Sequence, residues 1–155
     1  ALLDAAMVSE FLDLAGSRAA DVAFAVVEQR RIAAAFPESR RTYLRFRDTA
    51  VSGANLFLLR TPAAVAAIRF WSGVEAERKR PWRLAAAFGL PLLLGYLLRR
   101  FSLEEACSRA GSTLGVRLAP VLLSRPEAAI DVDRLEDLLL VRRLLATRSS
   151  GEHGP

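Results

Sequence analysis

The sequence predicts an α/β domain in which helices pack on a mixed sheet, and three observations predict it. Asp21-Val22-Ala23-Phe24-Ala25-Val26-Val27-Glu28 is a short, nearly unbroken apolar run, the pattern of a strand buried on both faces of a parallel sheet. Two strand-like segments follow it, an alternating one at 41–47 and an apolar one at 51–60. Stretches with helical spacing and recognisable caps lie on either side of these.

Taken in order, Leu2, Leu3, Val8, Phe11, Leu12 and Leu14 recur at helical spacing, so 1–15 is expected to be a helix ending at Gly16. After the 21–28 strand, Arg31 to Phe36 forms a short helical turn stopped by Pro37. Arg41, Tyr43, Arg45 and Arg47 then alternate with Thr42, Leu44 and Phe46, a half-buried strand with a basic face. Asp48-Thr49 makes the turn into a second strand over 51–60. Thr61-Pro62 is an N-cap followed by proline at the first helical position, opening a helix through Trp71. Arg78-Lys79-Arg80-Pro81 interrupts; a helix to about Gly89 and another from Pro91 to Arg100 follow. Ser102-Leu103-Glu104-Glu105 is a capping box opening a short helix to Ala110, and Val116 to Leu123 returns to strand character. Asp131-Val132-Asp133 leads into a last helix over 133–147, acidic at its start and basic at its end, as the helix dipole favours.

With 155 residues the chain suits one domain with a real core. Residues 1–148 are expected to belong to that domain, and 149–155 to be a disordered tail. Hydrophobic content of 52% with 9 Gly, 7 Pro and 1 Cys excludes disordered, collagenous and disulfide-scaffold classes. One cysteine and one histidine, His153 in the polar tail, exclude a His-based triad and a multi-His metal site. The single cysteine makes a reducing, cytoplasmic setting the default. The net charge of +5 comes from 21 Arg and 1 Lys scattered along the chain, without the clustering and interleaved aromatics of a nucleic-acid surface. No nucleic-acid partner is expected.

Leu84 to Leu98 is a run of 15 uncharged, strongly apolar residues between Arg83 and Arg99-Arg100. Spanning a bilayer needs roughly 20 residues, and Gly89, Pro91 and Gly95 break this one. Two short buried helices are expected, with no membrane partner.

Four places carry residue types that chemistry uses. Asp131 and Asp133, one residue apart after a strand, are able to share a hard divalent cation such as Mg²⁺, but Asp133 with Glu136 is also a good capping box. Ser52-Gly53-Ala54-Asn55 lets a ligand approach the backbone, with the Asn55 amide as donor and acceptor; the same residues also suit a bulge or a tight strand entrance. Arg78-Lys79-Arg80 keeps the one lysine of an arginine-rich chain, a compact charge suited to phosphate, or is a solvated turn. The basic face of 41–47 suits a solvated sheet surface. Cys107, in a short amphipathic helix, is a core or surface filler.

Phe36-Pro37 with Arg41-Thr42-Tyr43, then Ser52-Gly53-Ala54-Asn55-Leu56-Phe57-Leu58, then Arg78-Lys79-Arg80-Pro81-Trp82, and finally Asp131-Val132-Asp133-Arg134-Leu135-Glu136-Asp137-Leu138 occur in the order found in one family. The chain resembles the MobA-like NTP transferases, nucleotidyltransferases of Rossmann-like GT-A fold, and within them a bacterial branch with Thr-Gly-Gly-Asn-Leu and Arg-Lys-x-Pro motifs. The resemblance runs from about Ala1 to Leu145. It implies transfer of an NMP moiety from an NTP to a phosphate or hydroxyl acceptor, with Mg²⁺ and release of pyrophosphate. By position it implies that Asp133 is a metal ligand and catalytic group with Asp131 beside it, that Gly53 and Asn55 contact the acceptor, and that Arg78 and Lys79 contact phosphate, Lys79 also serving catalysis. Ala54 stands for the usual second glycine, and Leu135 where the last motif often has proline. The family's Gly-rich loop with its lysine, and its mid-chain aspartate, have no counterpart here. The chain is therefore expected to be the C-terminal, acceptor-side part of such a domain, its N-terminal nucleotide-binding part lying before Ala1 and the fragment alone inactive. The alternative is a non-catalytic binding or interaction module derived from that fold; a membrane-surface protein, resting on Leu84–Leu98 alone, comes third.

Overall fold

The computed structural model describes residues 2–39, 41–65, 67–69, 89–130 and 141–142. Among these the elements run α1 (Ala5–Gly16), β1 (Val22–Glu28), α2 (Gln29–Ala35), β2 (Leu44–Arg45), β3 (Ala50–Leu59), α3 (Leu90–Leu97), α4 (Leu103–Leu114) and β4 (Leu118–Leu122), followed by a 3₁₀ turn, Pro126–Ala129. Residues 62–65 and 67–69 are also helical, as Thr61-Pro62 predicts. The strands form one mixed sheet in the order β2-β3-β1-β4, with β1 parallel to β4 and antiparallel to β3.

β1 is the central strand that its apolar run predicts, and its two faces divide the core. Ala23, Ala25 and Val27 lie in a cluster with Met7, Phe11 and Ala15 of α1 and with Ile32, Ala54, Val121 and Leu123. On the opposite face, Val26 packs with Val51 and with Leu103 and Cys107 of α4, while Val22 packs with Ala64, Ala67 and Val116. Two helical layers thus sandwich the sheet, as a strand without a polar face requires.

The helix predicted over 1–15 is present, and its buried face matches the expected one only in part: Phe11, and Leu2 ahead of the helix, are buried as expected. Met7, Phe11 and Ala15, at i, i+4 and i+8, are buried, whereas Leu3, Leu12 and Leu14 are exposed. Asp4 caps it, accepting from the Met7 amide at 2.9 Å, a contact worth about 0.5–2 kcal/mol. The Ser102–Glu105 capping box of α4 is also present in both directions, and α4 runs four residues beyond the expected end, to a left-handed Gly115.

The strand predicted over 41–47 shrinks to the two residues of β2, which pair with Val51 and Ala50. Without a longer ladder to enforce the period of two, the basic face is lost. Tyr43 turns to the core, Leu44 is exposed, and Arg47 reaches across to the Arg100 carbonyl and to Glu105. The buried pair of helices expected within 84–98 also needs correction. Residues 84–88 lie outside the described ones, and α3 exposes Leu90, Leu94 and Leu97, with Leu98 exposed beyond its end. The final helix expected over 133–147 lies outside the described residues except for helical 141–142.

Candidate functional site

In an open α/β sheet, ligands bind beyond the carboxyl ends of the parallel strands. Here that edge holds the end of β1 at Glu28, the end of β4 and the segment that follows it, and the first half of the antiparallel β3. Val51, Ser52 and Gly53 pair with Glu28, Val27 and Val26 respectively. The segment singled out in the sequence therefore lies at the edge where the fold favours binding.

Its geometry is that of a bulge. Val26 pairs with Gly53 and Phe24 with Phe57, so Ala54, Asn55 and Leu56 stand opposite Ala25 alone. Asn55 takes a left-handed φ of 51° there, a conformation that asparagine tolerates better than most residues. Ala54 is buried in the core while Gly53 and Asn55 are exposed. A Cβ added at Gly53 would meet nothing within 4 Å. The fold itself does not require glycine at this position.

The edge carries an arginine–carboxylate network that the sequence reading missed. The Glu28 carboxylate accepts from Arg30 Nε and Nη2 at 3.0 and 2.8 Å and from Arg31 Nε at 3.4 Å. Hydrogen bonds from Arg30 hold its pKa below the ordinary carboxylate value, against a smaller opposing effect of burial. Arg31 Nη1 also donates to the Ser124 carbonyl beyond β4 at 3.3 Å, and the Ser124 amide donates to Glu10 of α1 at 2.7 Å. Arg125 pairs with Asp4 at 3.2 Å. Each guanidinium has five N–H donors and uses only some of them on these carboxylates, so this rim is able to offer donors to an anionic oxygen. The signal in the sequence was Glu28-Gln29-Arg30-Arg31 directly after an apolar strand.

The other predicted site residues, Arg78, Lys79, Asp131 and Asp133, lie outside the described residues. Asp131 directly follows Ile130, which is buried with Leu2, Phe36 and Val141, and the 3₁₀ turn before it packs against β1, β3 and α2. Among the described residues, no group of three His, Cys, Asp or Glu side chains gathers to hold a metal, and the Glu28 carboxylate is already engaged by two arginines. The described residues alone thus do not form a Mg²⁺ site. Cys107 is a core filler, as expected: burial pushes its thiol up to about 12, which removes the thiolate that nucleophilic chemistry needs.

At the opposite edge, an open cleft of about 500 Å³ is lined by Asp21, Ser108, Ser112 and Arg117 among others. Its charges satisfy each other. Asp21 accepts from the Arg117 amide at 2.8 Å, from Arg117 Nε at 3.2 Å and from the Thr61 hydroxyl at 3.1 Å. It ties β1, β4 and the chain after β3 together at their amino-end edge.

These features define a mixed α/β domain with a bulged strand and an arginine rim at its ligand-favoured edge. No protein-family model matches the chain, and no curated protein does. A solved structure described as a hypothetical transferase from Thermus thermophilus is similar, with 38% sequence identity and a TM-score of 0.73. The match covers 86% of this chain and 57% of that one, so the chain spans a little over half the length of the Thermus protein. The fold is therefore transferase-like. Among the described residues, no helix is long and apolar enough to cross a membrane.

Proposed function

We propose that the chain is the acceptor-side part of a cytoplasmic nucleotidyltransferase of Rossmann-like GT-A type, related to the MobA-like NTP transferases. The 38% identity to the Thermus structure described as a hypothetical transferase carries this reading, and the motif order of the sequence narrows transferase to nucleotidyl transfer. In that reaction an oxygen of a phosphate or hydroxyl acceptor attacks the α-phosphorus of an NTP. The bond to the bridging oxygen breaks, and pyrophosphate leaves.

In this reading Gly53 leaves room for the acceptor against the bulged strand, and Asn55 orients it through its amide. Arg78 and Lys79 bind phosphate. Asp131 and Asp133 would hold Mg²⁺, which neutralises phosphate charge when bound. The domain extends to about residue 148. The experiment is pyrophosphate release by the complete polypeptide encoded by the gene, given each NTP with Mg²⁺ and a panel of sugar phosphates and alcohols. Release that depends on both NTP and acceptor supports the reading. A folded protein that binds acceptors without releasing pyrophosphate favours the non-catalytic module.

A further inference from the structure

We infer that the exposed face of α3, with the arginine pair at its end, is a docking surface for an anionic lipid bilayer, on which the protein lies without inserting a span. Leu90, Leu94, Leu97 and Leu98 follow the i, i+4, i+7, i+8 spacing of one helix face. They are 57%, 47%, 63% and 63% exposed. The opposite face is fixed to the domain: the Tyr96 ring meets Phe46 edge-on at 5.6 Å, and Gly95 is buried beneath the Phe101 ring, where a Cβ would collide with it. The leucines cannot roll inward without breaking those contacts.

The charge beside them selects the occupant. The helix ends in a Schellman motif: the Arg100 amide donates to the Gly95 carbonyl at 2.8 Å and the Arg99 amide to the Tyr96 carbonyl at 2.9 Å. Arg99 therefore sits at the position that usually takes glycine, with a left-handed φ of 51°. Both arginines are exposed, and among the described residues neither side chain has an acid partner. Three acids near them among the described residues are engaged elsewhere. Glu105 pairs with Arg47, Glu104 with Arg18, and Asp48 accepts from the Leu103 amide. A leucine face flanked by two exposed arginines fits the boundary between headgroups and acyl chains of an anionic leaflet. A second copy of the chain would instead bring two arginine pairs toward each other. This inference departs from the expectation of no membrane partner, which rested on the shortness and breaks of the 84–98 run and on its burial. The face lies on the bilayer and needs no span.

The test is co-sedimentation of the complete polypeptide encoded by the gene with vesicles of phosphatidylcholine alone or mixed with phosphatidylserine. Binding is expected to the mixed vesicles only, and to weaken as salt is raised. Leu97→Glu with Leu98→Glu should abolish it. Arg99→Gly should weaken it by about fivefold, from roughly 1 kcal/mol per basic residue near the surface, while raising the melting temperature, because glycine relieves the left-handed strain. Weakened binding with a gain in stability in Arg99→Gly cannot come from unfolding. No sedimentation with mixed vesicles, equal binding to both vesicle types, or unchanged binding of the Leu97→Glu/Leu98→Glu variant would each overturn the inference. So would a dimer that this variant dissolves, since a second copy would then cover the face.

Discussion

Replacing Gly53 by alanine separates what the fold needs from what the proposed acceptor needs. The added methyl meets nothing within 4 Å, and Gly53 is not among the residues with positive φ. Glycine is entropically unfavourable in a strand, so Gly53→Ala should stabilise the domain by about 0.4–1 kcal/mol. For a chain of this size that is a rise in Tm of about 1–4 °C. Gly111→Ala is the contrasting control. There a Cβ would overlap the Val116 carbonyl oxygen, and overpacking against backbone costs about 1–3 kcal/mol. If Gly53 is glycine because an acceptor lies on it, Gly53→Ala should lower kcat/KM by about 10²-fold, the scale of a displacement of about 1 Å at a reacting centre. Thermal melts of both variants and pyrophosphate release by the complete protein check the two halves. A stabilised variant with unchanged kcat/KM would remove Gly53 from the acceptor site. A destabilised one would refute the open geometry of β3.

Three further outcomes are expected. Gly95→Ala should destabilise the domain by about 1–3 kcal/mol, since its methyl would displace the Phe101 ring; a chemical-denaturation curve measures this. Asp21 has its carboxyl held at about 2 against an ordinary 3.8, chiefly by hydrogen bonds from Arg117. Its folded pKa is depressed, so its stabilisation is present above about pH 4 and lost as pH falls through about 2; melts of Asp21→Asn and wild type should therefore differ at neutral pH and converge near pH 2. In the complete protein, Asp133→Ala should nearly abolish turnover, and Asp133→Asn should raise the half-saturating Mg²⁺, because an amide oxygen is still a hard ligand but carries no charge. Equal Mg²⁺ dependence in all three proteins would leave Asp133 as a helix cap, a position where Asn serves as well as Asp.

What was legible in the sequence divides along physical lines. β1 could be read because a strand buried on both faces leaves an unbroken apolar run, and the capping box at Ser102–Glu105 and the helix start at Thr61-Pro62 because both depend on neighbours within one turn. The face of α1 could not be read from side-chain size. Leu12 and Leu14 are larger than Ala15 yet exposed, because the buried stripe runs through Met7, Phe11 and Ala15 at i, i+4 and i+8. The alternation over 41–47 misled for a related reason: a period of two specifies a face only where a ladder holds the strand flat, and β2 is paired at two residues.

The candidate site shows the same division. Gly53 and Asn55 could be singled out by type, but the three-against-one bulge and the left-handed φ at Asn55 follow from how β3 registers on β1. Glu28, Arg30 and Arg31 look like an ordinary strand exit until Ser124, 93 residues beyond Arg31, meets them across the sheet edge. The bulge and the rim are separate devices at one edge, joined by the β1–β3 ladder. Gly53 pairs with Val26, two residues before Glu28, so in the proposed reading an acceptor on Gly53 lies at the same sheet edge as two arginines that Glu28 already anchors. Anchoring matters for transfer chemistry, in which the protein acts by holding charge still. A guanidinium fixed by a carboxylate loses less freedom on meeting a phosphate than a free one does, and here that fixing is done by a glutamate at the end of the most buried strand in the sheet.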